Sequence, residues 1–205
     1  MLFPLHSLQI APDVWLLSGF CESASLLAHI QAIDAQAPFR HYTVPGGKNM
    51  SVAMTSCGAL GWTSSAQGYA YVRADPLTQR PWPGMPHDFK QLATSAASAA
   101  GWPNFEPDSC LINRYAAGAS MGLHQDRDEP DLREPIVSVS LGATVKFMLG
   151  GLRRADPVKT IDLHDGDVLV WGGAARLIFH GVRPLKQGEG SAASVRYNLT
   201  FRKAG

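Results

Sequence analysis

CLINRY (110–115) opens the half of the chain that decides the fold. Further short runs rich in valine, isoleucine, leucine and aromatic residues follow it, separated by glycine, proline and aspartate: PIVSVSL (135–141), VKFML (145–149), DVLVWGG (167–173), LIFHGV (177–182) and VRYNLTF (195–201). Runs of this length, bounded by turn residues, predict β-strands. Because no helical pattern alternates with them, we expect antiparallel pairing in a sandwich or barrel of the jelly-roll type.

Two helices are predicted in the N-terminal half. Apolar residues recur at helical spacing over residues 23–36, where Ser23 or Ser25 is available as the N-cap. The second helix is expected over residues 86–100, with proline in its first turn and Gly101 at its end. Helices followed by strands predict an α+β protein whose double-stranded β-helix core is braced by N-terminal helices.

The composition predicts one globular domain over residues 1–205. Hydrophobic residues make up 45% and charged residues 17%, and the net charge of +1 gives no chain-wide field that would attract a polyanion. A nucleic-acid site would therefore have to be local. Three cysteines without a CxxC pair favour a reducing compartment, and no apolar run approaches the ~20 residues of a membrane span. The expected location is the cytoplasm, with no membrane contact.

The stretch over residues 40–86 has many glycines and prolines but also many aromatic rings. Its aromatic residues include Tyr42, Trp62, Tyr69, Tyr71 and Trp82. A solvated linker would not carry so many rings, so we expect this stretch to pack as a lid on the core over residues 110–202.

A metal site is indicated by His124 and Asp126. They are two residues apart, so an extended backbone points both side chains to the same side. His180, inside an apolar strand, is the third candidate ligand, although a lone histidine there is more often a core residue bonded to backbone. Two imidazoles and one carboxylate leave coordination positions open on Fe(II). A hydrolytic zinc site is the alternative, with Asp128 or Glu129 as its general base.

The last strand favours iron over zinc. In RYNLTFR (196–202), period two places Arg196, Asn198, Thr200 and Arg202 on one face. Paired guanidinium groups bind carboxylates and remain charged when buried, as a dicarboxylate cosubstrate requires. The alternative is an edge strand with its polar face in water. Asn113 and Tyr115 share a face of the predicted strand over residues 110–115 and can bond the same cosubstrate.

The chain resembles the Fe(II)/2-oxoglutarate-dependent dioxygenases, and among them the bacterial alkylation-repair enzymes of the AlkB type. The resemblance covers most of residues 38–202. It rests on PFRHYTVPGG (38–47), CGALGWTSSAQGYAYV (57–72), LHQDRDEPDLREPIVSVSLG (123–142), GDVLVWGG (166–173) and RYNLTFR (196–202). It implies Fe(II), 2-oxoglutarate and O2 as cofactors.

The resemblance also implies a role for each matching position. The iron ligands and catalytic residues would be His124, Asp126 and His180. The residues that bind 2-oxoglutarate would be Asn113, Tyr115, Arg196, Asn198 and Arg202. The substrate contacts would be Met54, Trp62, Tyr69, Tyr71, Asp128 and Arg154.

The implied reaction is oxidative demethylation of N1-methyladenine and N3-methylcytosine in alkylated DNA, with release of formaldehyde, succinate and CO2. The base must be single-stranded or flipped out of a duplex to reach the iron. His124 and Trp62 can form its stacking slot, and Asp128 can attract the positive charge that methylation creates. The chain is expected to act as a monomer.

Other substrates remain open. The same cofactors can serve demethylation of RNA or hydroxylation of a protein side chain. A catalytically silent metal-binding or nucleic-acid-binding module is a further alternative.

Overall fold

The computed structural model describes residues 7–186 and 195–205. Within these residues strands outnumber helices, and helices do not alternate with strands. The strands are β1 Ser7–Ala11, β2 Val14–Leu17, β3 Arg40–Thr43, β4 Asn49–Gly58, β5 Gly61–Ser65, β6 Gly68–Val72, β7 Ser109–Tyr115, β8 Met121–His124, β9 Ile136–Gly142, β10 Val145–Leu149, β11 Lys159–Leu163, β12 Val168–Trp171, β13 His180–Val182 and β14 Arg196–Arg202. The helices are α1 Ser23–Gln36, α2 His87–Ala99 and a short 3-10 helix, Gly173–Ala175.

The strands form three sheets. An eight-stranded sheet has the order β1-β2-β12-β9-β14-β7-β4-β3, and a four-stranded sheet has the order β11-β10-β13-β8. The hairpin β5–β6 is a separate two-stranded sheet. The strand pairs are antiparallel, as predicted.

Two hydrophobic cores lie on opposite faces of the large sheet. In β12, Val168 and Val170 pack with α1 and α2 in one core, whereas Leu169 and Trp171 pack in the other. That second core contains Phe147 and other residues of the small sheet. Because successive side chains of a strand point to opposite faces, β12 contributes residues to both cores. This arrangement of helices, large sheet and small sheet confirms the predicted α+β class with a jelly-roll core.

The helices agree closely with the predicted ranges, but the predicted cap of α1 is wrong. Glu22 occupies the N-cap position and makes no side-chain capping bond. The hydroxyl of Ser23 instead donates to Asp165 at 3.0 Å, so it bonds a distant loop rather than its own helix. Gly101 follows α2 with a φ of +101°, a conformation that glycine adopts without strain. No helix in the described residues is long and apolar enough to cross a membrane.

Two stretches differ from their predicted structure. Only the last three residues of LIFHGV (177–182) are a strand, because the preceding backbone is used in a turn: Ile178 N–H donates to Ala175 O. In residues 40–86, β3 and β4 belong to the large sheet, and β4 pairs with β7 from Ala53 to Gly58. Only the hairpin β5–β6 stands apart from the large sheet as a sheet of its own.

Strand β14 is an inner strand of the large sheet, so the alternative of an edge strand with its polar face in water is wrong. It pairs with β7 on one side and with β9 on the other, and Arg196, Asn198 and Arg202 are all buried. Its apolar residues Leu199 and Phe201 pack against the helices. The polar face must therefore point between the two sheets.

Candidate active site

Strands β8 and β13 bring the two histidines together. His124 and His180 are register partners, and their ring centroids are 4.4 Å apart. A Cβ atom at position 181 would lie 2.7 Å from Met121 O, so Gly181 allows β13 to approach β8 this closely. A pair of antiparallel strands thus aligns residues that are far apart in sequence.

Asp126 completes the predicted cluster. Its carboxylate lies 3.6 Å from His124 Nε2 and 3.7 Å from His180 Nε2. One ligand atom from each of the three residues lies within 4.8 Å of the others, so the group can hold one metal ion. Two imidazoles and a carboxylate with open positions are the donor set of non-haem Fe(II) oxygenases.

Backbone carbonyls fix both imidazole tautomers. His124 Nδ1 lies 2.9 Å from Gly122 O, and His180 Nδ1 lies 3.1 Å from Ile178 O. A carbonyl only accepts a hydrogen bond, so each Nδ1 carries the proton and each Nε2 is left for the metal.

The charges around the cluster favour metal binding at neutral pH. Burial would raise the pKa of the Asp126 carboxyl, but Arg202 and the two histidines hold that pKa well below its ordinary value. Burial and the neighbouring His124 lower the pKa of His180 to about 4, against the charge of Asp126. Neutral pH therefore provides a carboxylate and a neutral His180, the forms that bind a metal.

The predicted dicarboxylate-binding residues lie side by side on β14 and β7. Arg196 is the register partner of Tyr115, and Asn198 is that of Asn113. Asn113 Nδ2 donates to Asn198 Oδ1 at 3.2 Å, while Asn198 Nδ2 donates to Ser138 Oγ at 2.8 Å. The amides are thereby held in place by the sheet around them.

Arg196 has unpaired donors. It is 1% exposed, lies over the ring of Tyr115 and donates from Nη2 to Ser140 Oγ at 3.0 Å. Its Nε and Nη1 are buried with no hydrogen-bond partner among the described residues. Burial lowers the pKa of Arg196 and raises that of Tyr115 to about 12. A buried guanidinium with two free donors is suited to a carboxylate ligand.

A cavity of about 740 Å³ connects the metal cluster and the neighbouring polar residues to the surface. Among the predicted site residues, all except Arg196 and Tyr71 line it. Near its mouth, Trp62 stacks on Tyr69 with ring centroids 5.4 Å apart and donates from Nε1 to Asp128 at 2.9 Å. Arg154 donates to Leu123 O at 2.9 Å.

Tyr71 points to a residue that sequence reasoning did not assign to the dioxygenase site. Its hydroxyl donates to Glu129 Oε1 at 2.5 Å, and Arg176 donates to Glu129 Oε2 at 2.9 Å. Arg176 was missed entirely. Its only signal is a permanent charge in the otherwise apolar run before His180.

Both general bases predicted for the zinc alternative make other contacts. The carboxylate of Glu129 is buried and paired with Arg176, while Asp128 accepts the indole N–H of Trp62. The buried, ion-paired Glu129 is therefore not available to activate water beside the metal.

A family model of the 2OG-Fe(II) oxygenase superfamily matches residues 13–202. The Alpha-ketoglutarate-dependent dioxygenase AlkB of Escherichia coli (strain K12) is 56% identical over 188 residues, which cover 91% of this chain and 87% of that protein. The chain belongs to the AlkB branch of this superfamily. It is a 2-oxoglutarate-dependent dioxygenase, as predicted.

Two other AlkB-type proteins extend the comparison. The solved structure of OsALKBH1 superimposes with a TM-score of 0.84 at 29% identity, covering 96% of this chain and 99% of that one. The DNA N(6)-methyladenine demethylase ALKBH1C of Arabidopsis thaliana is 40% identical over 113 residues, 49% of this chain and 25% of that protein.

The residues of the site fit the cofactors of the superfamily. The cluster of His124, Asp126 and His180 suits Fe(II), and the unpaired donors of Arg196 suit a carboxylate of 2-oxoglutarate. The predicted cofactors Fe(II), 2-oxoglutarate and O2 are therefore confirmed, and the hydrolytic zinc alternative is set aside.

Proposed function

We propose that this enzyme repairs alkylated DNA by oxidative demethylation of N1-methyladenine and N3-methylcytosine, yielding formaldehyde, succinate and CO2. The observation that carries this proposal is a single cavity that has the His124, Asp126 and His180 cluster in its wall and the Trp62–Asp128 pair near its mouth. One end offers metal ligands, and the other offers a flat ring beside a carboxylate.

His124, Asp126 and His180 would hold Fe(II), while Arg196 and Arg202 would bind the two carboxylates of 2-oxoglutarate. Asn113, Tyr115 and Asn198 would assist by hydrogen bonding. When bound, iron and the cosubstrate supply the oxidation of an N-methyl C–H bond by O2, coupled to decarboxylation of 2-oxoglutarate. The chain's own task is to fix the cosubstrate and to hold the methyl group close to the metal.

Recognition of the damaged base follows from the cavity's mouth. A methylated base cannot enter the cavity from inside a duplex, so the enzyme would take single-stranded DNA or a flipped nucleotide. The ring of Trp62 can stack on the base, and Tyr69, Met54 and Arg154 line the same cavity. Tyr71 was expected to contact substrate too, but its hydroxyl is committed to Glu129.

Asp128 gives a physical reason for preferring these lesions. Methylation at N1 of adenine or N3 of cytosine makes the base cationic. Opposite charges 4 Å apart attract by roughly 4 kcal/mol at an effective dielectric of 20, and solvent around the exposed Asp128 reduces this. A neutral methylated base lacks this charge attraction in the same contact.

The remaining features of the proposal concern binding and location. Arg127, Arg133 and Arg153 are exposed and can contact phosphates, and so few contacts give a shallow salt dependence. The segment 40–86 is predicted to act as a lid; since β3 and β4 belong to the large sheet, the hairpin β5–β6 is the part of it that would cover the bound nucleotide. The enzyme would act as a monomer in the cytoplasm.

Formaldehyde release tests the proposal directly. The purified enzyme, supplied with ferrous iron and 2-oxoglutarate, is offered a DNA oligonucleotide with one N1-methyladenine, its unmethylated twin, the matching RNA, and a protein extract. We expect formaldehyde from the methylated DNA in amounts equal to the succinate formed. Release from RNA alone would assign an RNA demethylase. If 2-oxoglutarate is consumed only with protein, the nucleic-acid proposal is wrong.

Asp128→Asn should weaken discrimination between cationic and neutral lesions. The amide can still accept the indole N–H of Trp62 but carries no charge. We expect the preference for N1-methyladenine over a neutral N-methylated base, measured as a ratio of kcat/KM, to fall about tenfold, equivalent to about 1.4 kcal/mol. Asp131→Asn, in the same loop, is the matched control. An unchanged ratio in Asp128→Asn would show that another group selects the charge.

A further inference from the structure

The turn over residues 172–178 lies between β12 and β13 and is anchored to the turn between β1 and β2. Gly172 N–H donates to Asp13 O at 3.2 Å, and Ala174 N–H donates to the carboxylate of Asp13 at 2.9 Å. Inside the turn the chain forms the short 3-10 helix. Because its backbone groups are paired in this way, the turn is a fixed base for whatever it contacts.

The loop between β8 and β9 carries the predicted metal ligand Asp126 and has no such anchor of its own. Among the residues that the structure describes, no backbone group of residues 126–134 is bonded to another backbone group. Buried backbone groups need partners, and an unpaired loop loses more conformational freedom when it is ordered. Side chains from other elements must therefore hold this loop in place.

Arg176, in the turn, bonds the backbone of this loop near both of its ends. Its Nη1 donates to Asp126 O at 2.6 Å, and its Nε donates to Glu134 O at 2.9 Å. Its Nη2 donates to the carboxylate of Glu129 at 2.9 Å. The residue is 3% exposed, so water competes little for these bonds. Since the donors of a guanidinium are coplanar and rigid, one side chain fixes three points of the loop relative to one another.

The next two residues of the turn also contact segments that carry predicted metal ligands. Leu177 O accepts from Gln125 Nε2 at 2.5 Å, and Gln125 directly precedes Asp126. Ile178 O accepts from His180 Nδ1 at 3.1 Å. Partners of this kind orient metal ligands without touching the metal. Three consecutive residues of the turn thus each hold part of the metal site.

We propose that the turn 172–178 positions the metal ligands, with Arg176 as the positioning residue for Asp126. Because the backbone of Asp126 is fixed, the loop has less freedom to lose when a metal binds. The bond from Gln125 to the turn adds a second hold beside the same ligand. The site therefore binds metal more tightly than the same ligands would on an unsupported loop. This inference rests on the proposed ligand set and does not depend on which substrate is oxidised.

The affinity of the full chain for Mn(II) alone tests the role of Arg176. Mn(II) replaces iron so that no turnover occurs, and it is titrated calorimetrically into the metal-free protein. Arg176→Lys keeps a charge opposite Glu129, but a single ammonium group cannot reproduce the planar set of donors that bonds both carbonyls. We expect the Kd for Mn(II) to rise about tenfold or more, the usual effect of losing a partner that orients a ligand.

Arg40→Lys is the matched control. Arg40 also donates to a backbone carbonyl, Pro38 O, and pairs with the buried Asp75, but it lies outside the metal site. We expect it to lower the melting temperature while the Kd for Mn(II) stays within about twofold. The absorption spectrum of bound Co(II), which reports ligand geometry, should change in Arg176→Lys and not in Arg40→Lys. Equal rises in Kd in both variants would trace the effect to general loss of stability and overturn the proposal.

Gln125→Ala is an independent test that also serves where Arg176→Lys does not fold. It removes one bond to the turn without leaving a buried charge unpaired. We expect the Kd for Mn(II) to rise about fivefold, the factor of one ordinary hydrogen bond. An unchanged Kd in Gln125→Ala, or in a folded Arg176→Lys, would overturn the proposal.

Failure of the ligand set would look different. If Asp126→Asn binds Mn(II) as tightly as the wild type, the ligand set is wrong and the inference fails with it. If Asp126→Asn loses Mn(II) while Arg176→Lys binds it normally, the ligand set stands and only the positioning role is refuted. Neither measurement uses formaldehyde release, so the proposed substrate is tested separately.

Discussion

Replacing Asp126 with alanine should remove iron from the enzyme and abolish turnover. Asp126 supplies the only carboxylate among the three clustered ligands, and without it two imidazoles remain. Residues that merely orient a metal ligand account for about 10- to 100-fold in affinity, so loss of the ligand itself should cost at least 100-fold. The measurement is iron content after dialysis, together with formaldehyde release.

The same substitution should also destabilise the metal-free protein. The Asp126 carboxylate pairs with Arg202, and both side chains are at most 10% exposed. Removing one partner of a buried ion pair costs about 3 kcal/mol or more, because the other charge is left without compensation. Asp126→Asn keeps an acceptor for Arg202 and so should fold better than Asp126→Ala, yet still bind iron poorly.

A matched control separates these effects. Asp131→Ala removes a more exposed carboxylate of the same loop, and we expect normal iron content and activity. An Asp126→Asn protein that is folded and retains a full complement of iron would contradict the ligand assignment.

Arg196→Ala should raise the 2-oxoglutarate requirement and leave iron in place. The guanidinium has two unpaired, buried donors and belongs to a strand that does not carry a metal ligand. A paired charge of this kind contributes about 3 to 4 kcal/mol, so the Kd for 2-oxoglutarate should rise about 100- to 1,000-fold. Calorimetric titration in the presence of Mn(II) measures the Kd, and metal analysis measures the iron.

Arg196→Lys is the informative companion variant. Lysine keeps the positive charge but lacks the planar pair of donors, so its Kd should lie between those of the wild type and the alanine variant. Equal loss of iron and of 2-oxoglutarate in Arg196→Ala would mean that the strand holds the metal site rather than the cosubstrate. An unchanged Kd would move the dicarboxylate elsewhere in the cavity.

The parts of the site that were predictable depend on short-range periodicity. Residues 196–202 alternate so regularly that their polar face could be assigned before its surroundings were known. His124 and Asp126 gave a second local signal. His180 gave a weaker signal, a histidine inside an apolar run, which is also compatible with a core residue until the resemblance connects it to the other two ligands; the pairing of β13 with β8 explains how they meet.

The missed parts depend on contacts between distant residues. Arg176 and Glu129 are 47 positions apart in sequence, and no local pattern connects them. Strand β4 escaped notice because glycines and prolines surround it and its small residues, such as Ser51, Thr55 and Ser56, do not stand out as a core strand. The turn around Ile178 is likewise set by tertiary packing, since an apolar run alone is compatible with a strand.

The two metal-binding histidines lie on neighbouring strands, one at the edge of the small sheet and one inside it. Strand β8 is four residues long and lies at the edge of the small sheet, where β13 is its only neighbour among the described residues, whereas β13 has a neighbour on both sides. A metal ion bound by both His124 and His180 would therefore crosslink β8 to β13 and so to the rest of the small sheet. Loss of iron would remove this crosslink and lower the local stability of β8, while the core packed against the two helices would stay folded. We therefore expect the metal-free enzyme to fray, or to be cut by proteases, first around residues 121–124.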